Sequence, residues 1–181
     1  MSIINYDLIS KCKVQDERAM MQIYDLYCQG MYTVACRYLS EEDAKDAMQD
    51  GFLKAFSNID RYNFEFSFGA WLKRIIINTC LDRLKKKQID FKPLDVESIS
   101  KVDETSWEFN SEIKKEAILK AIEQLKPKYN IVVKLYLIEG YDHSEISEIL
   151  NIPIKTSRTH LRRGKQTLQE LLKALYNEAR Y

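Results

Sequence analysis

The chain has 181 residues, enough for one ordinary domain or two small ones, and 45% hydrophobic with 30% charged side chains marks it as globular. Its 5 Gly and 3 Pro are too few for an all-β protein rich in tight turns, so an all-α fold is expected. The net charge of +1 conceals segregation: residues 1–60 carry 6 Lys/Arg against 10 Asp/Glu, 71–92 carry 7 against 2, 93–125 carry 4 against 8, and 126–181 carry 10 against 6.

In chain order, Met20, Ile23, Tyr24, Tyr27, Met31, Val34, Ala35 and Tyr38 stand at helical spacing and predict a first helix within 14–39. Ser40, with Asp43 three residues on, has the spacing of a capping box for a second helix. There Ala44, Ala47, Met48, Phe52, Ala55 and Phe56 form the apolar stripe, beside a polar face of Asp43, Asp46, Gln49, Asp50 and Lys54. Residues 58–69 alternate aromatics at 62, 64, 66 and 68, which fits either a short strand or an aromatic loop. From Ala70 a helix resumes, with Trp71, Leu72, Ile75, Ile76 and Thr79 on one side and Arg74, Asn78, Leu81 and Lys85 on another.

Residues 88 to about 110 are aperiodic, acidic and contain Pro93, as expected of an inter-domain linker. Four helical segments follow. The first spans 111–125, and Pro127 starts a second that Gly140 closes as the residue after its C-cap. Asp142 and Glu145 form a capping box for the third, and Pro153 fits the first turn of the fourth, which runs to about Tyr176. The expected organisation is therefore two small helical domains, 1–90 and 111–181, joined by a flexible linker over 91–110.

The last two helices have the arrangement of a helix-turn-helix, whose second helix fits the major groove. Ile146, Ile149, Leu150, Ile152 and Leu161 are spaced to lock the pair. Lys155, Thr156, Arg158, Thr159, Arg162 and Arg163 are left facing outward, where they suit phosphates and base edges. The same spacing also fits a helical hairpin with a solvated basic face. The earlier basic helix, with Arg74, Asn78 and Lys85 behind the aromatic loop, combines cations with rings as single-stranded nucleic acid requires. Phe68 and Trp71 are assigned to the core, and the Asn63–Phe66 tip stays open between core and base platform.

Other chemistries lack support. Cys12, Cys28, Cys36 and Cys80 show no C-x-x-C spacing and the chain has 2 His, so free thiols in a reducing cytosol are expected and no zinc site. Asp43, Asp46 and Asp50 fall near one helix face, but no His accompanies them, so neither a metal nor another cofactor is expected. No nucleophile, Walker or G-x-G-x-x-G motif suggests an enzyme with a small-molecule substrate. No apolar run approaches the roughly 20 residues of a membrane span. The first residues lack a basic segment followed by an apolar core, so no signal peptide is expected.

Three stretches, "DAKDAMQDGFLKAF" (43–56), "SFGAWLKRIIINTCLDRLKKK" (67–87) and the segment 122–168 ending "EILNIPIKTSRTHLRRGKQTL", together resemble the bacterial sigma factors of the extracytoplasmic-function group. The resemblance implies two helical domains, region two and region four, and a cytoplasmic subunit that brings RNA polymerase to promoters. It implies that Asp43, Asp46, Gln49, Asp50, Phe52 and Phe56 dock the β′ clamp of core RNA polymerase, with the β flap as a second contact. It implies further that the loop from Asn58 to Phe66, including Asn63 and Phe64, captures a flipped base of the minus-ten strand. Lys73, Arg74, Asn78, Arg83 and Lys85 then lie on the minus-ten recognition and melting helix, and Lys155 to Arg163 on the minus-thirty-five helix. Anti-sigma factors are further partners in that family. The rival reading is a stand-alone helix-turn-helix regulator with an N-terminal sensing or dimerising domain.

Overall fold

The computed structural model describes the backbone of residues 3–86 and 114–178, and the side chains of 6–86 and 114–174. The chain divides into two compact units, Met1–Gln88 and Ile89–Tyr181. Among the described residues every regular element is helical. No described helix is long and apolar enough to cross a membrane. The expected linker, 91–110, lies outside the described residues.

The first unit opens with α1 (Ile3–Lys13), which the sequence pattern did not predict. The reason is sparse burial: Ile9 and Cys12 are its sunken side chains, too few to register as a stripe. Gln15 then takes a left-handed φ of 63° and turns the chain. Asp16 caps α2 (Glu17–Ala35) by accepting from the Ala19 N–H at 3.0 Å. Ser40 caps α3 (Glu41–Ser57) as expected, accepting from the Asp43 N–H, and Glu41, Glu42 and Asp43 lie at the positive end of the helix dipole. A single 3-10 turn, Ile59–Arg61, leads through bends into α4 (Phe68–Lys86), so the strand alternative for 58–69 is not realised. Leu81, grouped by spacing with Arg74, Asn78 and Lys85, is 1% exposed. The helix packs against both α2 and α3, so its apolar arc is wider than one stripe.

The second unit holds α5 (Lys115–Glu123), α6 (Pro127–Val133), α7 (His143–Leu150) and α8 (Ile154–Glu178). Pro127 sits in the first turn of α6, where its missing N–H costs nothing. The helix then widens into a π turn, Lys134–Ile138, before Gly140 reverses the chain at a φ of 81°. Lys134 is buried, and its ammonium meets Glu123 on α5 at 2.9 Å. Asn130 donates to the Ile122 carbonyl at 2.7 Å, so α5 is tied to α6 by two polar links.

Gly164, inside α8, costs helix propensity, and the packing explains it. A β-carbon there would lie 2.6 Å from Val133 Cγ2, which is fully buried on α6 and has no room to withdraw. Gly164→Ala is therefore expected to destabilise the second unit by about 1–3 kcal/mol through overpacking, despite the roughly 1 kcal/mol that propensity alone would return. Urea unfolding of both proteins checks the sign.

His160 is 5% exposed and lies edge-on to the Tyr129 ring at 5.5 Å. Burial first, then the Lys128 and Arg163 charges, lowers its pKa from 6.5 to about 4. The unfolded chain thus takes up this proton well above the pH at which the folded chain does. The stability that His160 contributes is full above about pH 6.5 and is lost at roughly 1.4 kcal/mol per unit as pH falls toward 4. His160→Gln should flatten that decline in unfolding measured between pH 7 and 5; an unaltered slope would contradict it.

Candidate nucleic-acid interface

The α7–α8 pair is built from short-range chemistry. Asp142 accepts from the Ser144 and Glu145 N–H groups at 2.7 and 2.9 Å, and Glu145 accepts from the Asp142 N–H at 2.9 Å, completing the expected capping box. Asn151 closes α7 with a φ of 53°, a conformation that asparagine tolerates. Ser147 holds the turn twice: its carbonyl accepts from the Ile152 N–H at 3.1 Å and its hydroxyl donates to the Ile152 carbonyl at 2.6 Å. The Pro153 carbonyl accepts the first bond of α8, from Ser157, so Pro153 stands one residue before the helix rather than within its first turn. Behind the turn His143 Nδ1 and the buried Ser157 Oγ are 2.9 Å apart. Ile146, Ile149, Leu150, Ile152 and Leu161 are all buried as expected.

The outward stripe is narrower than the sequence suggested. Lys155, Arg158 and Arg162 are exposed, three and four residues apart on one side of α8. Thr156 and Thr159 flank them half-buried, and the Thr159 hydroxyl donates to the Lys155 carbonyl at 2.9 Å. Arg163 differs. One position round the helix, it turns inward and donates to the Tyr129 hydroxyl at 3.4 Å. Lys165, from the same basic run, lies 5.7 Å over the Tyr136 ring, which stacks on His143 at 4.9 Å. Desolvation, then Arg158, lowers the pKa of His143, so its neutral form is favoured beside this basic face.

In the first unit α4 presents Asn78 and Lys85 exposed, with Lys73 and Arg74 half-buried. Arg83 is not an open cation. It bonds Asp50 at 2.5 Å and lies 3.6 Å from Asp46, and the hydrogen bond to Asp50 leads in raising its pKa. The sequence reading had placed these three residues on separate surfaces; spacing within one helix carries no information about its neighbour. Phe68 is core, with Tyr62 edge-on to it at 5.4 Å and Trp71 tilted against it at 5.5 Å. Phe66 is 61% exposed and Asn63 is exposed, whereas Phe64 is half-buried at a left-handed φ of 62°. A cleft of about 330 Å³ that the sequence did not suggest is lined by Lys54, Asn58, Arg61, Trp71, Asn78 and Thr79 among others.

On α3, Asp46, Gln49 and Asp50 are exposed and Asp43 half-buried, its carboxylate accepting from the Ser40 hydroxyl at 2.8 Å. Phe52 corrects the expected docking face: it is 2% exposed, its ring 4.9 Å from Tyr24, and serves the core. Phe56 is half-buried and lines an apolar groove of about 400 Å³ with Met20, Met21 and Leu53. Met21 and Leu53, exposed at 61% and 66%, were missed because each falls off its own helix's stripe.

Residues 23–89 match the family described as Sigma-70 region 2, and residues 115–168 match Sigma-70, region 4. The ECF RNA polymerase sigma factor SigW of Bacillus subtilis is 32% identical over 92% of this chain and 96% of its own length. The ECF RNA polymerase sigma-E factor of Haemophilus influenzae is 24% identical over 93% of this chain and 95% of its own. Among solved structures, CnrH in complex with the cytosolic domain of CnrY aligns with a TM-score of 0.54 at 20% identity, covering 92% of this chain and 96% of that one. RpoE in complex with the anti-sigma factor NepR from Bartonella quintana gives 0.56 at 22%, covering 84% and 96%. The two structures share the fold. Taken with the two-region match and the SigW identity, they place the chain in the sigma-70 family as an extracytoplasmic-function RNA polymerase sigma factor, an alternative sigma factor that directs transcription initiation.

Proposed function

We propose that this sigma factor divides promoter recognition between its units, residues 1–90 serving core polymerase and the minus-ten strand and residues 111–181 serving the minus-thirty-five duplex. The observation that carries the division is the contrast between two basic surfaces. On α8, Lys155, Arg158 and Arg162 form a bare stripe of cations suited to a groove. On the first unit, Asn78, Lys73, Arg74 and Lys85 stand with an exposed Phe66, a combination of backbone contact and ring that suits an unstacked base. Thr156 and Thr159 add polar contacts at the edge of the duplex reader. Neither surface needs to bind tightly alone, because the tether of 91–110 and the shared polymerase raise the local concentration of each site.

Core polymerase docks on α3 in this account. Asp46, Gln49 and Asp50 supply the outer polar face for a basic helix of the β′ clamp, Asp43 its N-terminal edge, and Phe56 with Met21 and Leu53 an apolar seat. Phe52 supports them from the core. The β flap would take the second unit. An anti-sigma factor, the kind of partner that RpoE holds in the Bartonella structure, would compete for such surfaces.

Run-off transcription with core polymerase on genomic fragments is the direct test, and a protein that yields no promoter-dependent transcript sinks the proposal. Retained specific duplex binding without polymerase would favour a stand-alone regulator. Asp50→Arg should weaken core binding by roughly tenfold or more through like-charge repulsion. Arg83→Ala is the control: it removes the Asp50 partner but leaves the acidic face, so core affinity should hold. The α8 stripe makes a sharper distinction. Arg162→Ala should lower duplex affinity and reduce the salt slope by about one, or cost about 1–3 kcal/mol at one base position if it reads guanine. Arg163→Ala should instead lower thermal stability and leave the salt slope unchanged.

A further inference from the structure

The match to region 2 begins at residue 23, so α1 lies wholly outside it. Yet α1 touches the loop assigned above to the flipped base. The Tyr6 ring lies 4.9 Å from the Phe64 ring. Lys13 acts twice, its ammonium donating to the Tyr62 carbonyl at 3.2 Å and standing 5.3 Å over the Phe64 ring. These contacts join positions about fifty residues apart in the chain.

The loop needs such support. Phe64 holds a φ of 62°, which an aromatic residue adopts only when its surroundings impose it. The Tyr62 ring packs against it as well, at 4.7 Å. The Tyr62 hydroxyl donates to the Phe66 carbonyl at 2.7 Å, and Asn63 Oδ1 accepts from the Glu65 N–H at 3.2 Å. Phe64 is thus clamped between α1 and Tyr62, and the tip presents Asn63, Glu65 and Phe66 outward. A loop fixed in advance loses less entropy when it captures a base. Core filling does not account for the two α1 residues: Tyr6 is 63% exposed and Lys13 half-buried, while Ile9 and Cys12 anchor the helix.

We propose that α1 is a working part of the single-strand reader: Tyr6 and Lys13 are positioning residues that hold Phe64 and the 62–66 turn in the shape that presents Phe66 to an unstacked DNA base. The inference rests on the assignment of this loop to the minus-ten strand, and its test must distinguish the two. The full chain is assembled with core RNA polymerase, and two fluorescein-labelled DNAs are taken from random pools by selection with the wild-type complex, one single-stranded and one duplex. Affinities for both are read by anisotropy for Lys13→Met, Tyr6→Ala, Lys13→Arg, Tyr6→Phe and Phe66→Ala.

Lys13→Met and Tyr6→Ala should weaken single-strand binding by about tenfold, the size of one lost base stack, with duplex binding unchanged. Lys13→Arg keeps the cation and Tyr6→Phe keeps the ring, so both should bind the strand as wild type does. If the truncations bind like wild type while Phe66→Ala loses affinity, the role of α1 is refuted and the loop assignment stands. If Phe66→Ala also binds like wild type, the loop does not read the strand and both fall. If the conservative variants fail as badly as the truncations, the contact is only structural and the proposal is overturned.

Discussion

In the first unit α3 lies against α4 at Gly51, whose missing side chain leaves the space that the Ile76 Cδ1 of α4 fills. A β-carbon there would meet Ile76, whose Cα is 3.4 Å from the position it would take. That close approach sets the acidic face of α3 directly beside the basic face of α4, and Arg83 joins the two through Asp50 and Asp46. The surface proposed for a protein and the surface proposed for DNA are therefore neighbours in one small unit. The second unit uses the same device at Gly164, where α8 approaches α6 and so has its basic stripe aimed by an apolar back.

This arrangement explains how a chain of net charge +1 can serve a polyanion. Charge is not spread but sorted by helix face, and each sorted face is held by buried packing rather than by ion pairs. The exposed ion pairs contribute little to stability. Their importance is that they decide which cations are engaged before any partner arrives. Arg83 and Arg163 have contacts within the fold, whereas Lys155, Arg158 and Arg162 extend from α8 into solvent. In the proposed function, the gain in DNA binding comes from counterion release along the second group.

What the sequence made legible follows from the range of the interactions. Caps and turns are local, so Ser40, Pro127, Gly140, the Asp142–Glu145 box and the Asn151 turn were all readable. So was the five-residue lock of the helix-turn-helix, because its periodicity is strong. Contacts between elements were not legible. Leu81 shares a face of its own helix with Arg74, Asn78 and Lys85, yet packing against two neighbouring helices buries it. Phe52 and Phe56 share a stripe, yet Phe52 is buried against Tyr24 while Phe56 stays half-buried in the groove that both line. Gly164 looked like a flaw until Val133 stood opposite it. The helix α1 was lost altogether, having two buried residues among its described side chains where a stripe needs three or four, and with it the clamp on Phe64.

The central claim is that melted strand and duplex are read by different units. Site-specific photocrosslinking in the polymerase–promoter complex addresses it most directly, with a benzophenone amino acid placed once at Phe66 and once at Arg158. The account predicts that the probe at 66 labels the single-stranded minus-ten segment and the probe at 158 labels duplex near minus thirty-five. Labelling of the same DNA segment from both positions, or of DNA from neither, would contradict it.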